Sequence, residues 1–435
     1  MTKLRFAPSP TGYIHVGNVR TALINYLFAK KVGASFLLRI DDTDPERSKD
    51  EYVTALQEDL RWLGIAWDDT FKQSDKVANY EAAKQKLIAS GRLYECFETQ
   101  DELETKRRFQ LKRGVPPIYD RAALNLSDSE KADFKAQGIQ PHYRFKLNHE
   151  DIAWTDLVRG DVKFLGSNLS DPILFRGDGS LIYLLCSVVD DGEYGITHIV
   201  RGEDHVTNTA IQIQIAQALG YTIPEFAHIA LLKGKEGKLS KRTGSASIRD
   251  LRADEVEPIA ILSLLAKMGT SDPIDLHSVD ELVAQFDFKK FGRATAIFDD
   301  ADLDRLTQKA VGHMEFAEVK DRVKVSESFW NAVRANLLKV SDVNEWDAIC
   351  NGEVQPIIAA EDAEFCKAAI AHLPENLDFQ AWMNTVKEAT GRKGKELFMP
   401  IRQALTALEH GPELKVVLPL IGREKIVQRL EGKKC

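Results

Sequence analysis

A loop that meets a nucleotide phosphate needs open space at its backbone, spare N–H groups and a neutral hydrogen-bond donor, and residues 8–18 offer all three. The segment runs Pro8-Ser9-Pro10-Thr11-Gly12-Tyr13-Ile14-His15-Val16-Gly17-Asn18. Gly12 and Gly17 let a ligand approach the main chain, and His15 donates without a permanent charge. Val19, Ala22, Leu23, Tyr26 and Leu27 follow with the spacing of a helix face, so Gly17 and Asn18 fall at a helix N-terminus. The N–H groups left over there, and the positive dipole end, favour an anion. The plain alternative is a loop whose prolines and glycines only turn the chain and whose histidine is solvated.

Far downstream, Lys233, Lys235, Lys238, Lys241 and Arg242 fall within ten residues, interleaved with Gly234, Gly237 and Gly244. Lysine is a mobile point charge for phosphates, and flanking glycines let such a loop close and open. A charge run is usually a solvated surface, but its pairing with the His15 loop points to ATP chemistry. Two arginines stand out as well. Arg5 and Arg201 lie at the ends of central strands, where a bare guanidinium is costly unless paired. A dicarboxylic ligand would pair with them; so would Asp190, Asp191 or Glu203 from within. Asp41, Asp42 and Asp44 invite a calcium reading, but Pro45 interrupts the loop and Glu46 stands where an EF-hand needs glycine.

The elements that position these residues follow from the apolar pattern. A strand over Leu4 to Ala7, a helix over Val19 to Lys31, a strand over Phe36 to Ile40 and a helix over Glu46 to Leu63 begin one half of a doubly wound parallel sheet, with ligands at the carboxyl strand ends. The second half comprises a strand over Ile196 to Val200, a helix over Val206 to Leu219 and a strand over Phe226 to Leu232. Between the halves, Trp154, Val158, Val162 and Phe164 are interleaved with polar residues, and Ile173 to Tyr183 reads as a hairpin about Gly177-Asp178-Gly179. This is an inserted α+β domain. After Arg249 the pattern turns helical, with a helix over Glu255 to Met268 stopped by Gly269. Short amphipathic helices follow from Val319, broken at Pro356, Pro374, Gly391, Pro400, Pro412 and Pro419. The fold class is therefore α/β: a Rossmann-type doubly wound parallel sheet split by an inserted α+β domain and followed by an all-α C-terminal domain.

At 435 residues, with 44% apolar and 29% charged residues, the composition is that of a globular protein of two to four domains. The net charge of −8 is unevenly spread: residues 381–435 hold eleven Lys/Arg against six Glu and no Asp, so that end is +5 and the rest −13. A basic end suits a phosphate-tracking surface, although helical surface lysines explain it as well. Five cysteines without a C-x-x-C pair predict reduced thiols in a cytoplasmic protein, and neither a signal peptide nor a membrane span is expected.

The quoted segments together resemble a family. Arg5 to Gly12, Arg39-Ile40-Asp41-Asp42-Thr43-Asp44, Val188-Val189-Asp190-Asp191, Arg201-Gly202-Glu203-Asp204-His205 and Lys238 to Arg242 are similar, in order, to the motifs of bacterial glutamyl-tRNA synthetases, which are class I aminoacyl-tRNA synthetases. Glutaminyl relatives typically carry Glu and Asn where Ser9 and Thr11 stand. Asn18 replaces the second signature histidine, a position that varies among glutamyl enzymes. The resemblance implies activation of L-glutamate by ATP with Mg2+ and transfer to the 3′-terminal adenosine of glutamate tRNA, leaving open whether glutamine tRNA is charged too. It assigns His15 and Lys241 to catalysis, and His15, Gly17, Asn18, Lys238, Leu239, Ser240 and Lys241 to ATP. The glutamate pocket comprises Arg5, Ala7, Ser9, Asp41, Tyr183, Ser187, Arg201 and His205.

By the same resemblance, residues 1–78 and 186–250 form the catalytic domain, 79–185 the acceptor-end-binding insertion, 251–310 a helical stem-contact region and 311–435 an anticodon-binding domain, in a monomer. The basic run Lys106, Arg107, Arg108, Lys112 and Arg113, with Phe109 among it, would position acceptor-end phosphates; a solvated helix face explains it equally. Relatives with zinc carry C-x-C and further ligands downstream, whereas this chain reads Cys96-Phe97-Glu98 and, after Tyr119, Asp120-Arg121-Ala122-Ala123. No zinc is expected. Two other classes compete: a non-catalytic RNA-binding paralogue, expected to lose His15 or Lys241, and a paralogue that glutamylates a tRNA base, expected to end soon after the catalytic core.

Overall fold

The computed structural model describes residues 1–235 and 247–435, in two compact units. The first comprises Met1–Arg252 and Leu262–Asp300, the second Ala253–Ile261 and Ala301–Cys435.

The first unit opens with β1 (Lys3–Phe6), α1 (Val16–Val32), β2 (Ser35–Ile40), α2 (Asp50–Trp62) and β3 (Asp69–Lys72). The three strands are parallel, in the order β1-β2-β3. β2 is buried along nearly its whole length, as a strand covered on both faces must be. Gly33, at φ 64°, ends α1 in a left-handed cap that glycine adopts without strain. Then come α3 (Val77–Ala89), β4 (Leu93–Cys96), α4 (Gln100–Lys112), α5 (Asp128–Ala136), β5 (His142–Phe145), β6 (Ile152–Asp156), β7 (Gly160–Phe164), β8 (Ile173–Phe175) and α6 (Tyr183–Glu193). The second half-sheet follows as β9 (His198–Gly202), α7 (Val206–Leu219) and β10 (Glu225–Ile229).

β9 and β10 pair in parallel and place Arg201 opposite His228. β1 adjoins β9, where the Thr197 N–H donates to the Lys3 carbonyl at 3.0 Å. The two halves of the nucleotide fold thus meet at their inner strands. β4, β5 and β8 form a separate antiparallel sheet. Both α4 and α5 carry capping boxes, Thr99 with Glu102 and Ser127 with Glu130.

Several sequence expectations shift. The β6–β7 hairpin, read as part of the insertion, joins the catalytic sheet instead: β6 pairs with β10 and the sheet runs β7-β6-β10-β9. The expected strand over Phe226 to Leu232 is two, because the chain leaves the sheet after Ile229 and re-forms a strand at Leu232–Gly234. The helix expected from Glu46 begins at Asp50, since Asp44 ties Arg47 into a surface turn by its backbone (3.2 Å) and side chain (2.7 Å). Tyr183 belongs to α6, and the hairpin about Gly179 is small, closed by Arg176 N–H to Ser180 O at 3.0 Å and Ile182 N–H to Leu174 O at 3.1 Å. The helix expected from Glu255 begins at Pro258, because Glu255 has φ 58° and proline fits a first helical position.

The second unit is helical around Trp330 and Trp382, both buried. Their indole N–H groups donate to the Met314 and Ala369 carbonyls at 3.0 and 2.8 Å, so large rings are buried without orphaning a donor. Pro400 and Pro419 do not break the chain as expected but lie inside helices Lys395–Thr406 and Leu414–Ile421. The Glu396 carbonyl, which the absent Pro400 N–H would have met, accepts Arg392 Nη1 at 3.4 Å. Burial of Leu397, Ile401, Ala404 and Leu405 carries the first of these helices through. Among the described residues no helix is long and apolar enough to cross a membrane.

Candidate active site

At the start of α1, His15 takes an extended backbone and its Nδ1 accepts the Gly17 N–H at 3.1 Å. A neutral imidazole that accepts at Nδ1 carries its proton on Nε2, which is left to donate. Burial holds the His15 pKa below the ordinary value, keeping the ring neutral. A Cβ at Gly17 would stand 2.9 Å from Cε1 of His15, so glycine here serves the cap. The sequence reading left the Gly17 N–H open to a phosphate; it is instead taken up by His15. This loop is tied to the chain just past the lysine-rich segment. The Ile248 N–H donates to the Ile14 carbonyl at 2.9 Å, His15 and Ser247 form a β-bridge, and Arg249 donates to the Tyr13 hydroxyl at 2.8 Å. Lys238, Leu239, Ser240 and Lys241 themselves lie outside the described residues.

Three buried arginines behind the loop are partnered in two different ways. Arg5 at the end of β1 forms a two-pronged pair with Asp191 of α6, at 3.1 and 3.2 Å. Arg39 of β2 holds Asp41 at 2.6 and 3.1 Å and Asp191 at 2.9 Å, and donates to the Ser187 hydroxyl at 3.3 Å. Burial pushes the Asp191 carboxyl up, but Arg5 and Arg39 outweigh it and hold the pKa below the usual range. Burial raises Asp190 to about 6, although Arg39, Gln73 and the Tyr80 hydroxyl favour its charge. Arg201 differs. Its guanidinium donates to Thr209 Oγ1 at 2.6 Å, Gln212 Oε1 at 2.7 Å and His228 Nε2 at 3.4 Å, all neutral acceptors. Among the described residues no carboxylate lies within ion-pairing distance of it. Burial, reinforced by the neighbouring Arg5 charge, lowers its pKa to about 10. Internal salt-bridging, the alternative weighed for both strand-end arginines, is what Arg5 does; Arg201 does not.

Tyr183, the first residue of α6, meets His205 Nδ1 with its hydroxyl at 3.1 Å and also takes the Asn208 amide. Burial holds the His205 pKa below its ordinary value, helped by Arg201. One cleft of about 820 Å3 is lined by Arg5, Ala7, Ser9, Asp41, Tyr183, Ser187, Arg201 and His205, and equally by His15, Gly17 and Asn18. Every described site residue named from the sequence is thus brought together. Residues the sequence reading passed over are Arg39, Thr209, Gln212, His228 and Asp156. Arg39 stands inside a quoted motif; Thr209 and Gln212 reach Arg201 from α7, and only the register of β9, β10 and β6 brings His228 and Asp156 behind it.

Away from the cleft, Cys96 and His142 are cross-strand partners in β4 and β5, and with Glu98 they place three ligand atoms within 4.8 Å of one another. The sequence reading saw the thiol and the carboxylate but not His142, which only strand pairing supplies. His142 Nε2 and Glu98 Oε2 are buried without hydrogen-bond partners. The Cys96 thiol is pushed up to about 12 by burial, and the Tyr119 hydroxyl occupies the same space, donating to Glu98 at 2.6 Å. The basic run on α4 is partly neutralised locally, Lys106 by Asp120 at 3.1 Å and Arg108 by Glu104 at 3.2 Å, while Phe109 is exposed.

Comparison with known proteins gives this architecture a family. The model of the class I tRNA synthetase catalytic domain for the E and Q enzymes matches residues 1–305, and that of an anticodon binding domain matches residues 281–433. The chain belongs to the class I tRNA synthetases. It is an aminoacyl-tRNA ligase of the E and Q group. It is 53% identical to glutamate–tRNA ligase 1 of Maricaulis maris, over 99% of both chains, and 53% identical to glutamate–tRNA ligase 2 of Hyphomonas neptunium, over 98% and 99%. Its fold is similar to the crystal structure of a glutamate tRNA ligase from Elizabethkingia meningosepticum in complex with its amino acid, with a TM-score of 0.81 at 26% identity, covering 99% of this chain and 98% of the other. In this synthetase fold the cleft lies beyond the carboxyl ends of β1 and β9, where open α/β sheets bind ligands.

Proposed function

We propose that the chain is a glutamate–tRNA ligase that activates L-glutamate with ATP and transfers it to the terminal adenosine of glutamate tRNA. The observation that carries this reading is Arg201: a buried guanidinium in the cleft, oriented by three neutral acceptors and not neutralised. A buried cation without a counter-ion is costly, and a substrate side-chain carboxylate removes that cost where an amide does not. Asp41, held in place by Arg39, lines the cleft with Ser9 and Ala7 where the substrate ammonium would sit, and Tyr183, Ser187 and His205 close the pocket. Arg5 lines the same cleft while it holds Asp191, and so supports the pocket wall.

Adenylation is an in-line displacement: a substrate carboxylate oxygen attacks the α-phosphorus and pyrophosphate leaves. The enzyme therefore mainly aligns reactants and stabilises spreading phosphate charge. His15 donates from Nε2, Gly17 and Asn18 shape the nucleotide end of the cleft, and Lys238 and Lys241, with Leu239 and Ser240 between them, bring charge from the second segment. ATP enters as the magnesium complex. The acyl group then passes to the tRNA ribose, with residues 79–185, apart from the β6–β7 hairpin, holding the acceptor end, 251–310 the stem and 311–435 the anticodon. The protein acts as a cytoplasmic monomer. Measuring glutamate-dependent pyrophosphate exchange with and without tRNA tests the reading; no glutamate-dependent exchange under either tRNA condition overturns it. Charging of purified glutamate and glutamine tRNAs decides whether the second is also a substrate.

A further inference from the structure

Behind Arg201 lies a hydrogen-bonded relay that the reaction as described does not use. Asp156 ends β6 and His228 lies in β10; both are buried, at 2% and 0% exposure. Asp156 Oδ1 accepts the backbone N–H groups of Val158, Arg159 and His228 at 3.0, 2.9 and 3.1 Å. Its Oδ2 faces His228 Nδ1 at 2.5 Å. On the far side of the ring, Nε2 lies 2.8 Å from Thr209 Oγ1 and accepts from Arg201 Nε at 3.4 Å.

The proton count on this ring follows from its neighbours. Asp156 is held below the usual carboxylate range: burial pushes it up, but the His228 hydrogen bond and the backbone donors outweigh that. Burial holds His228 below its ordinary value, so the ring is neutral. A neutral ring beside an ionised carboxylate places its one proton on Nδ1, which leaves Nε2 as a lone pair for Arg201. The carboxylate thus stands one ring away from the guanidinium. Arg5 and Arg39, by contrast, touch their carboxylates directly. Placing the negative charge behind an imidazole orients and polarises the Arg201 acceptor without quenching the charge that faces the cleft.

We propose that Asp156 is a positioning residue for substrate selection: through the Nδ1–H tautomer of His228 it keeps Arg201 oriented and un-neutralised, and so sets the preference for a carboxylate over an amide. This rests on the reading of Arg201 as the partner of the substrate side chain. Asp156→Asn separates the roles. The asparagine oxygen still accepts the three backbone N–H groups, but its amide now donates to Nδ1, driving the ring proton to Nε2, where it opposes the Arg201 N–H.

The experiment uses the full-length enzyme with tRNA present. Selective 15N-histidine NMR should find the His228 proton on Nδ1 in the wild type and on Nε2 in Asp156→Asn. Pyrophosphate exchange should show the KM for glutamate raised at least tenfold in the variant, the KM for ATP within about twofold, and the glutamate-to-glutamine ratio narrowed. A wild-type ring protonated on Nε2 or on both nitrogens at neutral pH overturns the proposal, even if the variant fails to fold. A switched tautomer with an unchanged KM and ratio also overturns it. Arg201→Met, assayed in parallel, separates the two readings: if Arg201→Met changes the ratio and Asp156→Asn does not, only the relay fails, and if neither does, the assignment of Arg201 fails.

Discussion

Arg201→Met removes the charge that the proposed function depends on while keeping an unbranched side chain of similar reach. In the wild type, a carboxylate entering the cleft meets a guanidinium that is 8% exposed and has no protein counter-ion among the described residues. Truncating one partner of such a buried charge pair costs about 2–5 kcal/mol. At 1.4 kcal/mol per factor of ten, kcat/KM for glutamate should fall roughly 30- to 4,000-fold. Glutamine, which never neutralised Arg201, should lose far less, so the discrimination ratio should narrow by at least about tenfold. Folding should be touched only lightly. The change strips donors from Gln212 and Thr209, but it also removes an uncompensated buried cation. Asp191→Asn makes the opposite case: it leaves Arg5 and Arg39 short of a carboxylate they both contact, and should destabilise by about 3–5 kcal/mol. The assay is tRNA charging with each amino acid, alongside thermal unfolding. A folded Arg201→Met enzyme with an unchanged glutamate-to-glutamine ratio would refute the argument and make Arg201 a structural residue.

Lys241→Ala should lower glutamate-dependent pyrophosphate exchange by about a hundredfold or more, with tRNA binding retained, as for loss of one electrostatic donor in a transition state; near-normal exchange removes Lys241 from its role. Elemental analysis should find well under one zinc per chain, since only one thiol, raised to about 12, joins Glu98 and His142; about one zinc per chain retained after mild chelation would make that trio a metal site. Stability should decline as pH falls from 7 to 5.5. His15, His142, His198, His205 and His228 are held below their ordinary pKa, first by burial, so the unfolded chain takes up protons below about 6.5 that the folded chain refuses. Asp59 and Asp190, raised to about 6, and Asp41, raised by burial, oppose this by binding protons in the folded state above the ordinary carboxylate range, but they are three against five. A melting temperature that rises over that interval would contradict the sign.

Local signals in the chain located most of the site, because they are local in origin. The His15 loop owes its shape to Gly17 two residues away, and α7 spans Val206–Leu219, the bounds its sequence predicts. What escaped depends on pairing between distant segments. Asp156 and Arg201 are 45 positions apart in the chain and meet only through β10, so no spacing announces the relay. His142 escaped for the same reason, being adjacent to Cys96 only across two antiparallel strands. Pro400 and Pro419 misled because a proline within a well-packed amphipathic helix costs less than the burial that the helix secures.

The crossing of the β6–β7 hairpin into the catalytic sheet bears on how enzymes of this build can be recombined. A chimera that exchanges residues 79–185 whole would carry away an interior strand of the recipient's sheet, the one lying between β7 and β10, together with the carboxylate behind Arg201. The donor's version would then sit against a foreign β10, and whatever Asp156 does for Arg201 would travel with the exchanged segment. A graft confined to residues 93–149 and 166–175 leaves that strand with its host. Natural divergence faces the same joint: α4 and α5 add no strand to the catalytic sheet, whereas changes at 152–164 must remain compatible with β10.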